Sequence, residues 1–244
     1  IEDERLAGMT EDLIRQEYYC SFSAPNTGSY YGAPMNDAEV EGRIAKVKPD
    51  GMLPVVTAWD LGIGDSTAIW LTQVVGMEVH LVDYHVAAGQ PLEYYVRWLN
   101  ERADQMGYRY SEHLLPHDAR ALVLSTGVTR IETLENCGLK GEIRVVENHR
   151  IEDGINAVRV MLPHCWFDEE RCAAGIKALR AYQRKYDEKT KSYSNRPDHD
   201  WSSDGADAFR YLSVGLRPRE LRAQAARRQR YQPHESRGGG PWAA

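Results

Sequence analysis

Val55-Val56-Thr57-Ala58-Trp59-Asp60-Leu61-Gly62-Ile63-Gly64-Asp65 is a β-rich apolar run that ends on a carboxylate and then on a glycine-bearing turn. Val, Thr and Trp favour an extended, half-buried backbone, whereas Gly and Asp break it. Two further β-type runs follow at 67–75 and 77–86, separated only by Gly76, so a three-strand antiparallel meander is expected from residue 55 onward. Asp60 closes the first of these strands. An unpaired buried carboxylate is costly, so Asp60 should face a metal or a cation; the plainer alternative is an Asp that opens the Gly62–Asp65 turn.

Downstream, Leu92, Tyr95, Val96 and Leu99 fall at i, i+3, i+4 and i+7 between Pro91 and Gly107, which predicts a helix. A short strand at 112–116 precedes His117-Asp118. A helix near 129–137 stops at Gly138, a strand covers 142–147, and helices cover 151–162 and 169–183. The polar segment 184–193 has no apolar stripe and reads as an exposed hairpin. Ser203 or Asp204 can cap a last helix that reaches Leu212, with Gly215 near its end. The expected fold is a mixed α/β sheet, three antiparallel strands and then parallel additions, flanked by helices.

Upstream, residues 1–50 read as a lead-in: a short helix after Thr10, a linker over 23–36 and a second short helix over 37–46. The opening Ile1-Glu2-Asp3-Glu4, without an initiator Met, is what a piece of a longer protein would show. Residues 51–216 form the expected body and 217–244 a basic, disordered tail. The net charge is −6, yet residues 215–244 hold seven Arg against Glu220 and Glu235, a balance of +5, which leaves −11 on the rest. That acidic body argues against simple electrostatic DNA binding. No apolar run approaches the roughly 18 residues needed to span a bilayer, and no signal peptide opens the chain. Cys20, Cys137, Cys165 and Cys172 show no zinc spacing and read as reduced thiols.

Besides Asp60, three acids stand where chemistry could use them. Asp118 follows a strand in Leu-Leu-Pro-His-Asp-Ala, or simply caps a turn. Asp204 and Asp207 are spaced i, i+3 and share a helix face, where like charges repel unless protonated or metal-bound. Their other reading is as acids that complement a helix dipole. Hydrolysis of a phosphodiester with two metal ions needs oxygen ligands gathered in this way, and Mg2+ or Mn2+ suits carboxylates.

With these residues in view, the chain resembles the C-terminal nuclease domain of the large terminase subunit of tailed bacteriophages. The resemblance rests on Ala58-Trp-Asp-Leu-Gly-Ile-Gly-Asp-Ser-Thr-Ala, Leu115-Pro-His-Asp-Ala, Arg150-Ile-Glu-Asp-Gly-Ile-Asn-Ala-Val-Arg and Pro197-Asp-His-Asp-Trp-Ser-Ser-Asp-Gly-Ala-Asp-Ala-Phe-Arg-Tyr, with Gly8-Met-Thr-Glu-Asp-Leu-Ile-Arg-Gln-Glu-Tyr-Tyr-Cys resembling the end of a packaging ATPase. It implies an RNase H-like fold and an endonuclease that cuts concatemeric viral double-stranded DNA. The metal ligands would be Asp60, Asp118, Asp204 and Asp207, with Asp60, Asp118 and Asp207 catalytic. In such proteins a His often stands where Asp204 does, which ranks Asp207 ahead of it. The implied partners are DNA, the portal, the small terminase subunit and an upstream ATPase domain; the isolated piece would be a monomer in the infected cell's cytoplasm. No Gly-x-x-x-x-Gly-Lys-[Ser/Thr] loop occurs, so ATP hydrolysis is not expected here. Arg184, Lys185, Lys189 and Lys191 on the hairpin are candidates for touching the DNA backbone. A Holliday-junction resolvase shares the acidic pattern. An actin-like ATPase or kinase would use the Asp60–Thr67 stretch as a phosphate loop but needs a second one, and a protein-binding scaffold would carry a degenerate site.

Overall fold

A computed structural model describes residues 28–62, 66–122, 127–187 and 192–216. The meander is present: β2 (Val55–Asp60), β3 (Ser66–Val75) and β4 (Glu78–Ala88) pair antiparallel in that order, after a two-residue β1 (Ile44–Ala45). β5 (Tyr110–Leu115) adds parallel to β2, and β6 (Glu142–Val145) adds parallel to β5. On the opposite edge β7 (Cys165–Asp168) runs parallel to β4 and pairs in turn with β1. The seven-stranded order is β1-β7-β4-β3-β2-β5-β6, a mixed RNase H-like sheet.

Period-two alternation in β2 and β3 sorts their side chains between two cores. Ala58, Ala68 and Trp70 enter one core, whereas Trp59, Ile69 and Leu71 enter the other. The second core lies under α2 (Leu92–Met106), which buries the expected Tyr95, Val96 and Leu99 and ends on Gly107 at φ +71°, a left-handed cap that favours glycine. The first core is roofed by α4 (Ile151–Met161), α5 (Ala173–Ala181) and α6 (Ser203–Gly215). α3 (Arg130–Asn136) opens on a capping box in which Thr129 and Glu132 exchange hydrogen bonds. β8 (Arg184–Asp187) and β9 (Ser192–Pro197) form the expected exposed hairpin.

Several local expectations are corrected. The helix expected at 37–46 is α1 (Gly32–Val40), while Ile44 and Ala45 are sheet residues. The helix expected at 169–183 begins only at Ala173, because Asp168 accepts the Arg171 N–H and turns the chain first. β7 is not among the expected strands; its four residues carry too short a pattern to announce one. Residues 28–50, read as a lead-in, pack on the body: Tyr30 N–H donates to Tyr182 O, and Tyr31 stacks on Tyr182 at 5.6 Å. The helix after Thr10, Cys20 and the tail over 217–244 lie outside the described residues. Cys165 and Cys172 are buried and reduced, donating to the carbonyls of Met161 and Leu81.

Close helix–sheet contact is visible at Gly175 of α5. A methyl group there would run into the Trp70 ring and stand 2.9 Å from Tyr84 Cδ2. Helix propensity alone favours Ala by ~1 kcal/mol, but Trp70 is fully buried and its indole N–H is tied to Gly205 O. Overpacking against such a ring costs about 1–3 kcal/mol. Gly175→Ala is therefore expected to lose at least ~1 kcal/mol in urea unfolding once the propensity gain is subtracted; a variant as stable as its parent would show that the ring can shift.

Candidate metal centre

Strand parity directs the first acid. Asp60 shares the face of Ala58, the face that α6 covers, and its sheet partner is the small Ala68. β2 and β5 are parallel neighbours, so their C-terminal ends lie together, and Asp118 follows β5 in a 3-10 turn at His117–Arg120. α6 brings the other two acids. Its first turn approaches the sheet closely because Gly205 leaves no room for a side chain: a Cβ there would stand 2.7 Å from the Tyr84 hydroxyl and 2.9 Å from Ala178 Cβ. Trp70 Nε1 donates to Gly205 O at 2.8 Å and fixes the approach.

These placements bring all four acids into one electrostatic neighbourhood. Burial pushes Asp60 up to about 8, and the charges of Asp207, Asp204 and, more weakly, Asp118 push the same way, against the pull of Arg210. Burial also raises Asp207, opposed first by Arg210 and then by the Tyr182 hydroxyl, which donates to its Oδ1 at 3.3 Å, and by His199 and His149. Asp204 is buried in the first turn of α6; the cap position is Ser202, so the expectation that Asp204 caps the helix is corrected by two residues. Tyr84 is raised by burial and by Asp204 and Asp60, which places its ring beside both acids.

The carboxylates do not yet form a cage. Among the described residues no three His, Cys, Asp or Glu side chains stand close enough together to hold an ion. Two of the acids are drawn toward cations: Asp207 Oδ1 lies 3.0 Å from Arg210 Nη1, and Asp118, its side chain 45% exposed, lies 3.1 Å from Arg130 Nη1. Asp60 has no hydrogen bond or ion pair among the described residues, only burial and Coulomb forces. The donor set is all carboxylate oxygen with an unneutralised buried member, which fits a hard divalent ion such as Mg2+ or Mn2+.

Sequence reasoning missed the cation. Arg210 is 7% exposed, and its Nε and Nη1 find no aligned hydrogen-bond acceptor. Its i+3 spacing from Asp207 was the available signal. Arg130, at the start of a capped helix, carried no signal toward Asp118. Of the hairpin candidates, Arg184 lies 5.7 Å over the Tyr30 ring, Lys185 is exposed, and Lys189 and Lys191 lie outside the described residues.

The raised Asp60 makes a pH prediction. Between about pH 4 and about pH 8 the folded protein holds a proton on Asp60 that the unfolded chain has released. The unfolded state thus binds fewer protons, so stability falls as pH rises through that window, by a few kcal/mol in order of magnitude. In chelator, the melting temperature should decline from pH 5 to pH 8 more steeply for the parent than for Asp60→Asn. Parallel curves would mean that Asp60 is not held protonated.

No family model and no curated protein matches the sequence. Solved structures do. The chain is similar to the full-length large terminase of a thermophilic bacteriophage, with TM-score 0.59 and 17% identity over 87% of this chain and 51% of that one. It is similar to the P22 large terminase nuclease domain, with TM-score 0.52 and 16% identity over 75% of this chain and 94% of that one. A third likeness, TM-score 0.50 at 11% identity, is to the large terminase nuclease of thermophilic phage G20c solved with magnesium, over 77% and 98% of the two chains. The chain thus spans about half the length of the first of these proteins, and it has the fold of a large-terminase nuclease domain.

Proposed function

We propose that this chain is a metal-dependent DNA endonuclease of the large-terminase kind, which cuts concatemeric viral double-stranded DNA during genome packaging. The observation that carries this reading is the buried Asp60 carboxylate, unneutralised and crowded by Asp204, Asp207 and Asp118 from two other elements. Burying like charges together is unfavourable unless a cation joins them. The RNase H-like fold, shared with a terminase nuclease solved with magnesium, supports the same reading.

Asp60, Asp118, Asp204 and Asp207 would hold two Mg2+ or Mn2+ ions, whose chemistry when bound is to polarise the attacking water and to stabilise the departing oxygen. Asp60, at the rigid end of a central strand, would serve both ions. Asp207 is kept oriented by Arg210 and by the Tyr182 hydroxyl, and Asp118 by Arg130. The partners in this reading are double-stranded DNA and, through the longer protein, an ATPase domain, the portal and the small subunit, in the cytoplasm of an infected bacterium. The isolated chain acts as a monomer.

Supercoiled plasmid incubated with the chain and manganese should be nicked and linearised, and chelator should stop it. Asp60→Asn and Asp207→Ala should each lower the rate by several powers of ten, the scale of lost metal stabilisation of transition-state charge. Asp204→His should keep substantial activity, since imidazole also binds such ions. Near-normal nicking by Asp60→Asn would overturn the assignment, and a dead Asp204→His beside an active Asp207→Ala would put the metal one helical turn earlier.

DNA-backbone contact by the hairpin has its own readout. Replacing Arg184, Lys185, Lys189 and Lys191 with Ala should weaken DNA binding and flatten the slope of log affinity against log salt by up to about 3–4, at roughly 0.9 per released phosphate contact. An unchanged slope would remove the hairpin from the DNA path.

A further inference from the structure

Trp201 is 64% exposed, although a free indole normally finds cover. It is not on a loose loop. Asp200 Oδ1 accepts from Ser202 N–H at 2.8 Å and from its hydroxyl at 2.5 Å, and Ser203 N–H donates to Asp200 O at 3.0 Å. Ser203 gives its hydroxyl proton to the same carbonyl at 2.6 Å, so the His199 Nδ1 contact at 3.1 Å must have the ring nitrogen donating. The turn is thereby pinned on both sides, and it presents the indole three residues ahead of Asp204, one helical turn from the acids.

The hairpin is joined directly to this turn. Asp198 N–H donates to Gln183 O at 2.9 Å, so the base of β8 and β9 abuts the residues before Trp201. On the hairpin Tyr186 and Tyr193 meet edge to face at 5.1 Å while 48% and 36% exposed. Tyr193 is held against Gly28, where any side chain would run into its ring. In a chain of net charge −6, the stretch 184–196 carries Arg184, Lys185, Lys189, Lys191 and Arg196 against only Asp187 and Glu188. Exposed rings among basic residues are the composition that binds a nucleic-acid strand, the cations meeting phosphates and the rings meeting base faces.

In an intact duplex the base faces are covered by their neighbours, so a protein ring can stack only on a base that has left the stack. We infer that Trp201, with the Tyr186–Tyr193 pair, is a stacking platform for unpaired bases of the DNA strand entering the acid cluster, so that this site engages locally opened DNA. The inference rests on reading the chain as a DNA nuclease, and it adds the form of DNA that the site selects.

The test uses the whole chain in chelator, where nothing is cut, with two fluorescent probes: an oligodeoxythymidylate and a blunt DNA duplex. Trp201→Ala should weaken oligothymidylate binding about tenfold, within the usual worth of one base–aromatic stack, with duplex binding changed less than about twofold. Trp201→Phe, which keeps a ring, should restore most of the loss. If Trp201→Ala binds oligothymidylate like its parent, or loses both probes equally, the platform is refuted. Manganese-dependent plasmid cutting by the parent is scored separately. Its absence would sink the nuclease reading without altering the binding comparison, and an unaffected Trp201→Ala would sink the platform while cutting persists.

Discussion

The hydrogen bond from the Trp70 indole to the Gly205 carbonyl, 2.8 Å long, is the joint on which the site hangs. It forms only because α6 can lie almost on the sheet, and that depends on residues with little or no side chain. Gly205 and Gly175 admit Tyr84 and Trp70, while Ala58 and Ala68 leave room on the strands below. Around Trp70 the rings of Tyr84, Phe167 and Phe209 pack at 4.5–6.0 Å and tie three strands and the helix into one block. With the first turn of α6 held so near, Asp204 and Asp207 have nowhere to go but the space above Asp60.

That space is electrostatically unfavourable, and the protein relieves it unevenly. Arg210 and the Tyr182 hydroxyl draw on Asp207, and Arg130 draws on Asp118 toward solvent, but Asp60 is left with burial and repulsion alone. The cations are thus set behind the acids and steady them without filling the position between them. A carboxylate group arranged in this way is poised to lower its energy by taking up a divalent ion.

The other buried carboxylates of the same sheet show the contrast. Asp83 on β4 accepts from Arg102 and from the Tyr84 amide, and Asp168 on β7 is bound by Arg171 and by the Val47 amide. Both line or adjoin a polar cavity of about 260 Å³ beside Trp98, and each has a guanidinium of its own. They close the sheet edge, as paired buried charges do. The Thr57–His113 pair does similar work beneath α2: Trp59 donates to the Thr57 hydroxyl, Thr57 donates to His113 Nδ1, and Nε2 donates to Lys140 O, which keeps the ring neutral with its pKa lowered to about 4. Burial of a titratable group alone does not mark a site; burial without a partner, beside others of the same sign, does.

The amino-acid sequence by itself determined whatever repeats over a few residues. Alternation sets β2, β3 and β4, the i, i+3, i+4, i+7 pattern sets α2, and the i, i+3 pair Asp204–Asp207 shares a helix face because 3.6 residues complete a turn. The placement of Asp60 at a strand end was legible for the same reason. What depended on distant partners was not. β7 and β1 are strands only because β4 offers an edge to four residues too few to show a period, and α1 starts at Gly32 because Tyr31 finds Tyr182 far along the chain. Only the tertiary structure decided that Arg130 reaches Asp118, that Arg210 lies buried behind Asp207, and that Trp201 is left uncovered beside them. Local patterns follow from the geometry of one backbone segment, whereas the environment of a charge is fixed by segments that meet only when the whole chain packs.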